Sequence, residues 1–185
     1  MKLTKTDFIA HAQQGDAAVI GELYERYHAS IFRYLYYRVG DRQTAEDLTS
    51  EVFLRLIHSL PGFHPQKVSF QAWLFQIARN IVIDDYRKQS VRNHVELEEH
   101  LIAGTDDPSN TIEANLTSES LRQALNKLSD EQRDVIVMRF VAGMPINEVA
   151  QALNKSEDSI KGLQRRALIT LRDILTEWEI TYVEQ

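Results

Sequence analysis

Ser156, Glu157, Asp158, Ser159, Lys161, Arg165 and Arg166 fall in one short stretch, and residues 159–172 contain no acid. On a helix entering the major groove, the first residues reach base edges and the more distal bases reach phosphates. Glu157, Asp158 and Lys161 are therefore placed for base edges, where a carboxylate accepts from a cytosine amino group. Ser156, Ser159, Arg165 and Arg166 are placed for phosphate contact, with an internal ion pair as the other use of Arg166. One-sided charge alone describes a solvated amphipathic helix equally well.

The elements around these residues favour the groove. Ile146, Val149, Ala150 and Leu153 repeat at i, i+3, i+4 and i+7, one face of a helix. Pro145 suits a first helical turn, where a missing N–H is harmless. Asn154 stands where the chain must turn, and Asn tolerates the left-handed conformation better than other side chains except glycine. Ser156 is an N-cap, with Glu157 and Asp158 complementing the helix dipole. The second helix buries Ile160, Leu163, Ala167, Leu171 and Ile174 and turns Lys161, Arg165, Arg166 and Arg172 outward. This is a helix-turn-helix.

Composition sets the outer bounds. The 185 residues allow one or two domains with a real core. Seven glycines, four prolines and long periodic stretches between them point to an all-α fold. Without cysteine, disulfides, thiolate metal sites and cysteine nucleophiles are excluded. The first residues carry no signal-peptide core and no apolar run reaches membrane-span length, so a cytoplasmic protein without membrane insertion is expected. No nucleotide-phosphate loop, G-x-S-x-G or H-E-x-x-H occurs, so no enzyme, cofactor or metal is expected. His94 and Glu98 are four apart and would share a helix face, with His100 following, but they lie in a stretch read as linker without a third ordered ligand. The net charge of −6 is concentrated in residues 89–118, which carry −5, against +1 for residues 1–88 and −2 for 119–185. So acidic a chain gains little from generic phosphate attraction; weak DNA binding alone, and work attached to something larger, are expected.

Along the chain, residues 5–14 form a short helix ended by Gly15, and Asp16 caps a long helix to Gly40 with Ile20, Leu23, Tyr27, Ile31, Tyr34, Leu35 and Arg38 at helical spacing. Asp41 caps a third helix with Ala45, Leu48, Val52 and Leu56 inward, stopped by Pro61 and Gly62. After a loop over 63–68, Ser69 caps a fourth helix to about Gln89, with Phe70, Leu74, Ile77 and Ile81 on one face. The pattern lapses over the acidic 91–110, read as a flexible linker. It returns at Ile112, Leu116, Leu121, Leu125 and Leu128, and Ser129 caps a helix to Val141 ahead of the helix-turn-helix. The expected domains are 1–90 and 111–185.

Three stretches in this order carry a resemblance. AEDLTSEVFLRLIHSL (45–60), SFQAWLFQIARNIVIDDYRK (69–88) and LSDEQRDVIVMRFVAGMPINEVAQALNKSEDSIKGLQRRALITLR (128–172) are similar to the polymerase-docking segment, the −10 helix and region 4 of the extracytoplasmic-function sigma factors. The resemblance implies a transcription initiation factor of sigma regions 2 and 4 that binds core RNA polymerase at the β′ clamp and β flap and reads promoter DNA. It also implies an anti-sigma factor as partner. By the same resemblance Asp47, Glu51 and Arg55 face polymerase, where the bland reading is a solvated face with local ion pairs. Residues 63–69 would accept a flipped base.

Single strands are held by aromatic stacking and basic side chains. That chemistry singles out Phe63, His64, Lys67, Ser69 and Trp73 near the loop and Arg79, Asn80, Arg87 and Lys88 along the helix. Core packing is the other reading for Trp73 and the favoured one for Phe70. Asp84 and Asp85 are read as orienting Arg87 or Lys88. The family's usual Lys-Ser-Arg-Leu is replaced by Lys161, Gly162, Leu163 and Gln164, so −35 preference does not carry over; Gly162 weakens the helix by about 1 kcal/mol relative to Ala. The linker acids Glu96, Glu98 and Glu99 are read as nucleic-acid mimics near the polymerase active-site channel. The alternatives are a stand-alone helix-turn-helix regulator and, with less support, a metal-dependent helical hydrolase, for which His11, His28, His58 and His64 lack the spacing.

Overall fold

The computed structural model describes the backbone of residues 5–95 and 120–183 and the side chains of 8–90 and 120–178. Among these residues all regular structure is helical, in keeping with the all-α expectation. Ile112, Leu116, the linker acids and the His94/Glu98/His100 spacing lie outside the described side chains.

The front half is built by local signals. Helix α1 (Lys5–Gln13) ends before Gly15, whose φ of 83° only glycine adopts freely. Helix α2 (Ala17–Val39) starts where the Asp16 carboxylate accepts from the N–H groups of Ala18 and Val19, and ends where Gly40 turns left-handed and donates to the Tyr36 carbonyl. Helix α3 (Arg42–Ser59) opens on Asp41, which accepts from the Thr44 N–H at 2.7 Å, and tightens into a 3-10 turn over Leu60–Gly62. Helix α4 (Phe70–Val95) starts where the Ser69 hydroxyl accepts from the Ala72 N–H at 3.1 Å. It runs past Gln89, so the first five residues read as linker are helical; no glycine or proline interrupts the chain there.

The rear half comprises α5 (residues 120–126), α6 (Asp130–Ile136), α7 (Ile146–Leu153) and α8 (Glu157–Val183). Ser129 and Gln132 form a reciprocal capping box at the start of α6. The helix expected to continue to Val141 widens into a π turn over Val137–Val141, closed by the Ala142 N–H on the Val137 carbonyl.

Both halves have full cores. Leu23, Ile31, Tyr34, Leu35, Leu56, Leu74 and Phe75 are buried in front, and Leu125, Met138, Met144, Val149 and Ile160 behind. Each such side chain contributes roughly 1.5–3 kcal/mol of burial. The halves, expected as two bodies joined by a linker, meet directly: α7 lies against α4, and the π turn against α2.

Candidate nucleic-acid and polymerase interface

The turn between α7 and α8 is as the residue types demand. Asn154 has φ 51° and ψ 48°, and the Lys155 N–H bonds the Ala150 carbonyl at 2.9 Å. The Ser156 hydroxyl accepts from the Ser159 N–H at 3.2 Å and so caps α8. Lys155 reaches back to Glu131 at 2.8 Å, tying the turn to α6. Arg139 on the π turn donates to the Met144 carbonyl and to Gln164 on α8, fixing the loop before α7 against the second helix. Ile160, Leu163, Ala167 and Leu171 are buried, which forces the opposite face outward.

That outward face carries Glu157, Asp158, Ser159, Lys161, Arg165 and Arg166, all exposed. Lys161, Gln164, Arg165, Leu168, Ile169 and Arg172 line one shallow groove. Arg165 and Arg166 have no ion pair among the described residues, so the internal pair considered for Arg166 is not formed. Lys161 is held by Asp158 at 3.1 Å, one turn back, and Arg172 is neutralised by Asp173. A side chain at Gly162 would meet only the tip of Arg166, at 3.4 Å, so no protein contact demands glycine there.

The loop ahead of α4 is anchored at its first residue. Phe63 is 3 % exposed, stacks on Trp73 with centroids 4.5 Å apart, and meets Phe70 edge-on at 5.6 Å. Gln13 of α1 donates to the carbonyls of Leu60 and Phe63. Phe63, grouped with the strand-holding residues, is thus a core side chain here; its ring completes the cluster that roots the loop. Phe70 is buried as expected and Trp73 is half-buried. His64 and Lys67 remain exposed at the loop tip, and Asn80, Arg87 and Lys88 along α4. Asp84 and Asp85 do not orient Arg87 or Lys88: Asp84 pairs with Arg55 of α3 at 3.3 Å, and Asp85 accepts from Gln89 at 2.7 Å. Helical geometry explains this, since Asp85 faces a residue four positions on and Asp84 faces the neighbouring helix.

On α3, Asp47 is exposed, and Arg55 bridges Glu51 and Asp84. Burial opposes the Arg55 charge, but its hydrogen bonds to these carboxylates outweigh that and raise its pKa above the ordinary arginine value. Sequence reasoning missed the apolar part of this surface. Leu54 is 60 % and Ile57 45 % exposed, beside Asp47 and Glu51 on the side away from the core stripe of Leu48, Val52 and Leu56. Exposed aliphatics rimmed by charge are compatible with protein contact. Their position off the buried stripe was the available signal.

Two residues assigned to strand contact are engaged elsewhere. The Arg79 Nε donates to Asp134 Oδ2 at 2.9 Å, and the Ser69 N–H donates to Gln151 Oε1 at 2.9 Å. Gln76, between them on α4, donates to the Gln151 carbonyl at 2.8 Å. Asp134 is 1 % exposed and also accepts from the Tyr34 hydroxyl at 2.8 Å. Burial first, then the Asp134 charge, push the Tyr34 phenol well above the usual tyrosine pKa. Among the described residues no group of three or more His, Asp or Glu is arranged for a metal, and no helix is long and apolar enough to cross a membrane.

Two helical units, one with an aromatic-rooted loop before a long helix and one with a helix-turn-helix, have the architecture of a DNA-reading protein. The profile of Sigma-70 region 2 matches residues 23–92, and that of Sigma-70, region 4 matches 124–173. The ECF RNA polymerase sigma factor BldN of Streptomyces coelicolor is 38 % identical over 173 residues, spanning 92 % of this chain and 66 % of that protein. The ECF RNA polymerase sigma factor SigX of Bacillus subtilis is 33 % identical over 161 residues, spanning 81 % and 80 %. The structure of CnrH in complex with the cytosolic domain of CnrY superposes with a TM-score of 0.73 at 25 % identity, covering 92 % of this chain and 96 % of that one. The chain belongs to the ECF RNA polymerase sigma factors.

Proposed function

We propose that this protein is a promoter-specificity subunit that works from the cytoplasm, docks on core RNA polymerase and reads a promoter at two separated elements. It carries no chemistry of its own. The observation that carries this reading is the placement of region 2 and region 4 matches, in order, on two helical units that each expose a nucleic-acid-compatible face. The front unit spans residues 1–90 and grips the β′ clamp through Asp47, Glu51 and Arg55, beside which Leu54 and Ile57 are exposed. His64, Lys67, Trp73, Asn80, Arg87 and Lys88 hold the opened −10 strand. The rear unit, within 111–185, sits on the β flap, with Glu157, Asp158 and Lys161 at −35 base edges and Ser156, Ser159, Arg165 and Arg166 on phosphates.

Polymerase makes the second DNA contact effectively intramolecular, so each contact can be weak. This reconciles a net charge of −6 with promoter reading. An anti-sigma factor is the inhibitory partner in this reading; CnrH, to which this chain is similar, has been solved in complex with the cytosolic domain of CnrY. Core polymerase mixed with this chain on a genomic promoter pool is expected to yield discrete transcripts absent with core enzyme alone. Specific duplex binding without polymerase, and no transcripts with it, would favour the stand-alone regulator.

A further inference from the structure

Gln164 is where α8 is tied to the π turn. The Arg139 Nε donates to Gln164 Oε1 at 3.2 Å, and another arm of the same guanidinium donates to the Met144 carbonyl. The ring of Phe140 lies 5.9 Å from that guanidinium. Arg139 itself sits on the π turn, a rare element that recurs at functional sites. A guanidinium has only donors, so the end of the Gln164 amide that meets it is the oxygen. Turning the amide over would set its NH2 against the guanidinium, donor against donor. The NH2 end meets no acceptor among the described residues and is open to solvent. Gln164 is half-buried and stands one turn after Lys161 and beside Arg165; the three line the same shallow groove.

A glutamine free at both ends pairs with adenine, accepting from N6 and donating to N7. With its oxygen held by Arg139, Gln164 can only donate. Guanine presents two acceptors, N7 and O6, on its major-groove edge, whereas cytosine presents a donor. We infer that Arg139 is a positioning residue that makes Gln164 a donor-only reader, directed to guanine at one base pair of the −35 element and away from adenine. Arg139 touches no DNA in this arrangement; it acts by holding one oxygen. A hydrogen bond from a charged donor is roughly twice as strong as a neutral one, and the bond to Met144 keeps the guanidinium from swinging away. The position is one where this chain has an amide and the commoner family sequence has leucine, so the reading belongs to this chain. The part that concerns DNA rests on taking α8 as the −35 helix; the tie between Arg139 and Gln164 does not.

Two measurements on the full chain test this. In the free protein the Gln164 side-chain NH2 is expected to be rigid by NMR relaxation, and Arg139→Met to set it moving. A mobile NH2 in wild type overturns the positioning role. The second measurement is selection from a randomised −35 library with core polymerase. Wild type is expected to favour guanine over adenine about tenfold at one position. Arg139→Met frees the oxygen and is expected to move that position toward adenine, a change that weakened folding or a lost phosphate contact would not produce. Gln164→Glu keeps an oxygen on Arg139 and puts an acceptor where the NH2 was, so the same position is expected to turn to cytosine. Preferences unchanged in Gln164→Glu, or guanine retained in a folded Arg139→Met, overturn the inference. A wild type that selects no sequence at all overturns the promoter reading itself, a result distinct from a selected element that ignores both variants.

Discussion

The hydroxyl of Tyr34 donates a 2.8 Å hydrogen bond to Asp134, a hundred residues further along the chain. Its ring meets Phe75 edge-on at 5.5 Å, deep in the front core. One side chain thus serves the interior of one half and the border with the other. Tyr34→Phe keeps the ring and drops the bond, leaving Asp134 to its arginines. It is expected to cost about 1 kcal/mol, whereas Tyr34→Ala costs about 3–5 kcal/mol through the cavity. Urea unfolding followed by circular dichroism checks both.

On α8 the base-edge and phosphate roles proposed above separate by experiment. Arg165→Ala and Arg166→Ala are expected to weaken −35 duplex binding evenly across sequences, each lowering the salt slope by about 1. Lys161→Ala and Glu157→Ala are expected to change which sequences are preferred, each by about 1–3 kcal/mol at one position. Competition selection on a randomised −35 library in the presence of core polymerase distinguishes the two patterns.

The docking patch proposed on α3 has a polar and an apolar half. Asp47→Lys and Leu54→Ser lie on exposed positions, so stability is expected to change by no more than about 0.5 kcal/mol. Affinity for core polymerase is expected to fall about tenfold or more in each, the equivalent of about 1.4 kcal/mol. Unchanged affinity in both would move the docking surface elsewhere.

Asp41 gives the front half an acid sensitivity. The Thr44 hydroxyl and then its N–H bond the Asp41 carboxylate and hold its pKa below the ordinary value. A folded pKa below the unfolded one means the cap stabilises fully above the unfolded value near 3.9 and is lost as pH falls through the folded pKa. Asp41→Ala is expected to cost about 1 kcal/mol at neutral pH. Its difference from wild type should shrink steadily below about pH 5 in urea titrations; a constant difference down to pH 3 would show that the carboxylate is not the cap.

Asn154 offers a backbone test. At φ 51° it pays a steric cost that glycine avoids. Asn154→Gly is expected to be neutral or slightly stabilising, and Asn154→Val to cost roughly 1–2 kcal/mol, read as shifts in the thermal midpoint.

Local chemistry was legible in the chain itself. Asp16, Asp41, Ser129 and Ser156 announce helix starts, and Gly40 and Asn154 announce ends, because caps act over three or four residues. Asp84 was misread because its partner, Arg55, lies on another helix. Phe63 was misread because an aromatic beside a loop serves equally as anchor or as platform. The seam was hidden for the same reason, yet it left a trace. Arg38 continues the buried stripe of Ile31, Tyr34 and Leu35, and Asp134 stands one turn before the buried Val137 and Met138. Two opposite charges, each on an apolar stripe, require a buried counterpart. Arg38 and Asp134 are each other's counterpart, and that pairing joins the halves.

Arg38 and Asp134 also set how the border answers to heat. Hydration of ions carries a strongly negative entropy and loses strength on warming, while the attraction within a sheltered pair changes little. On this contribution, a warmer cell holds the two halves together more firmly, opposite in sign to the loosening that ends in denaturation. The border between the halves thus owes part of its strength to a pair that warming does not weaken.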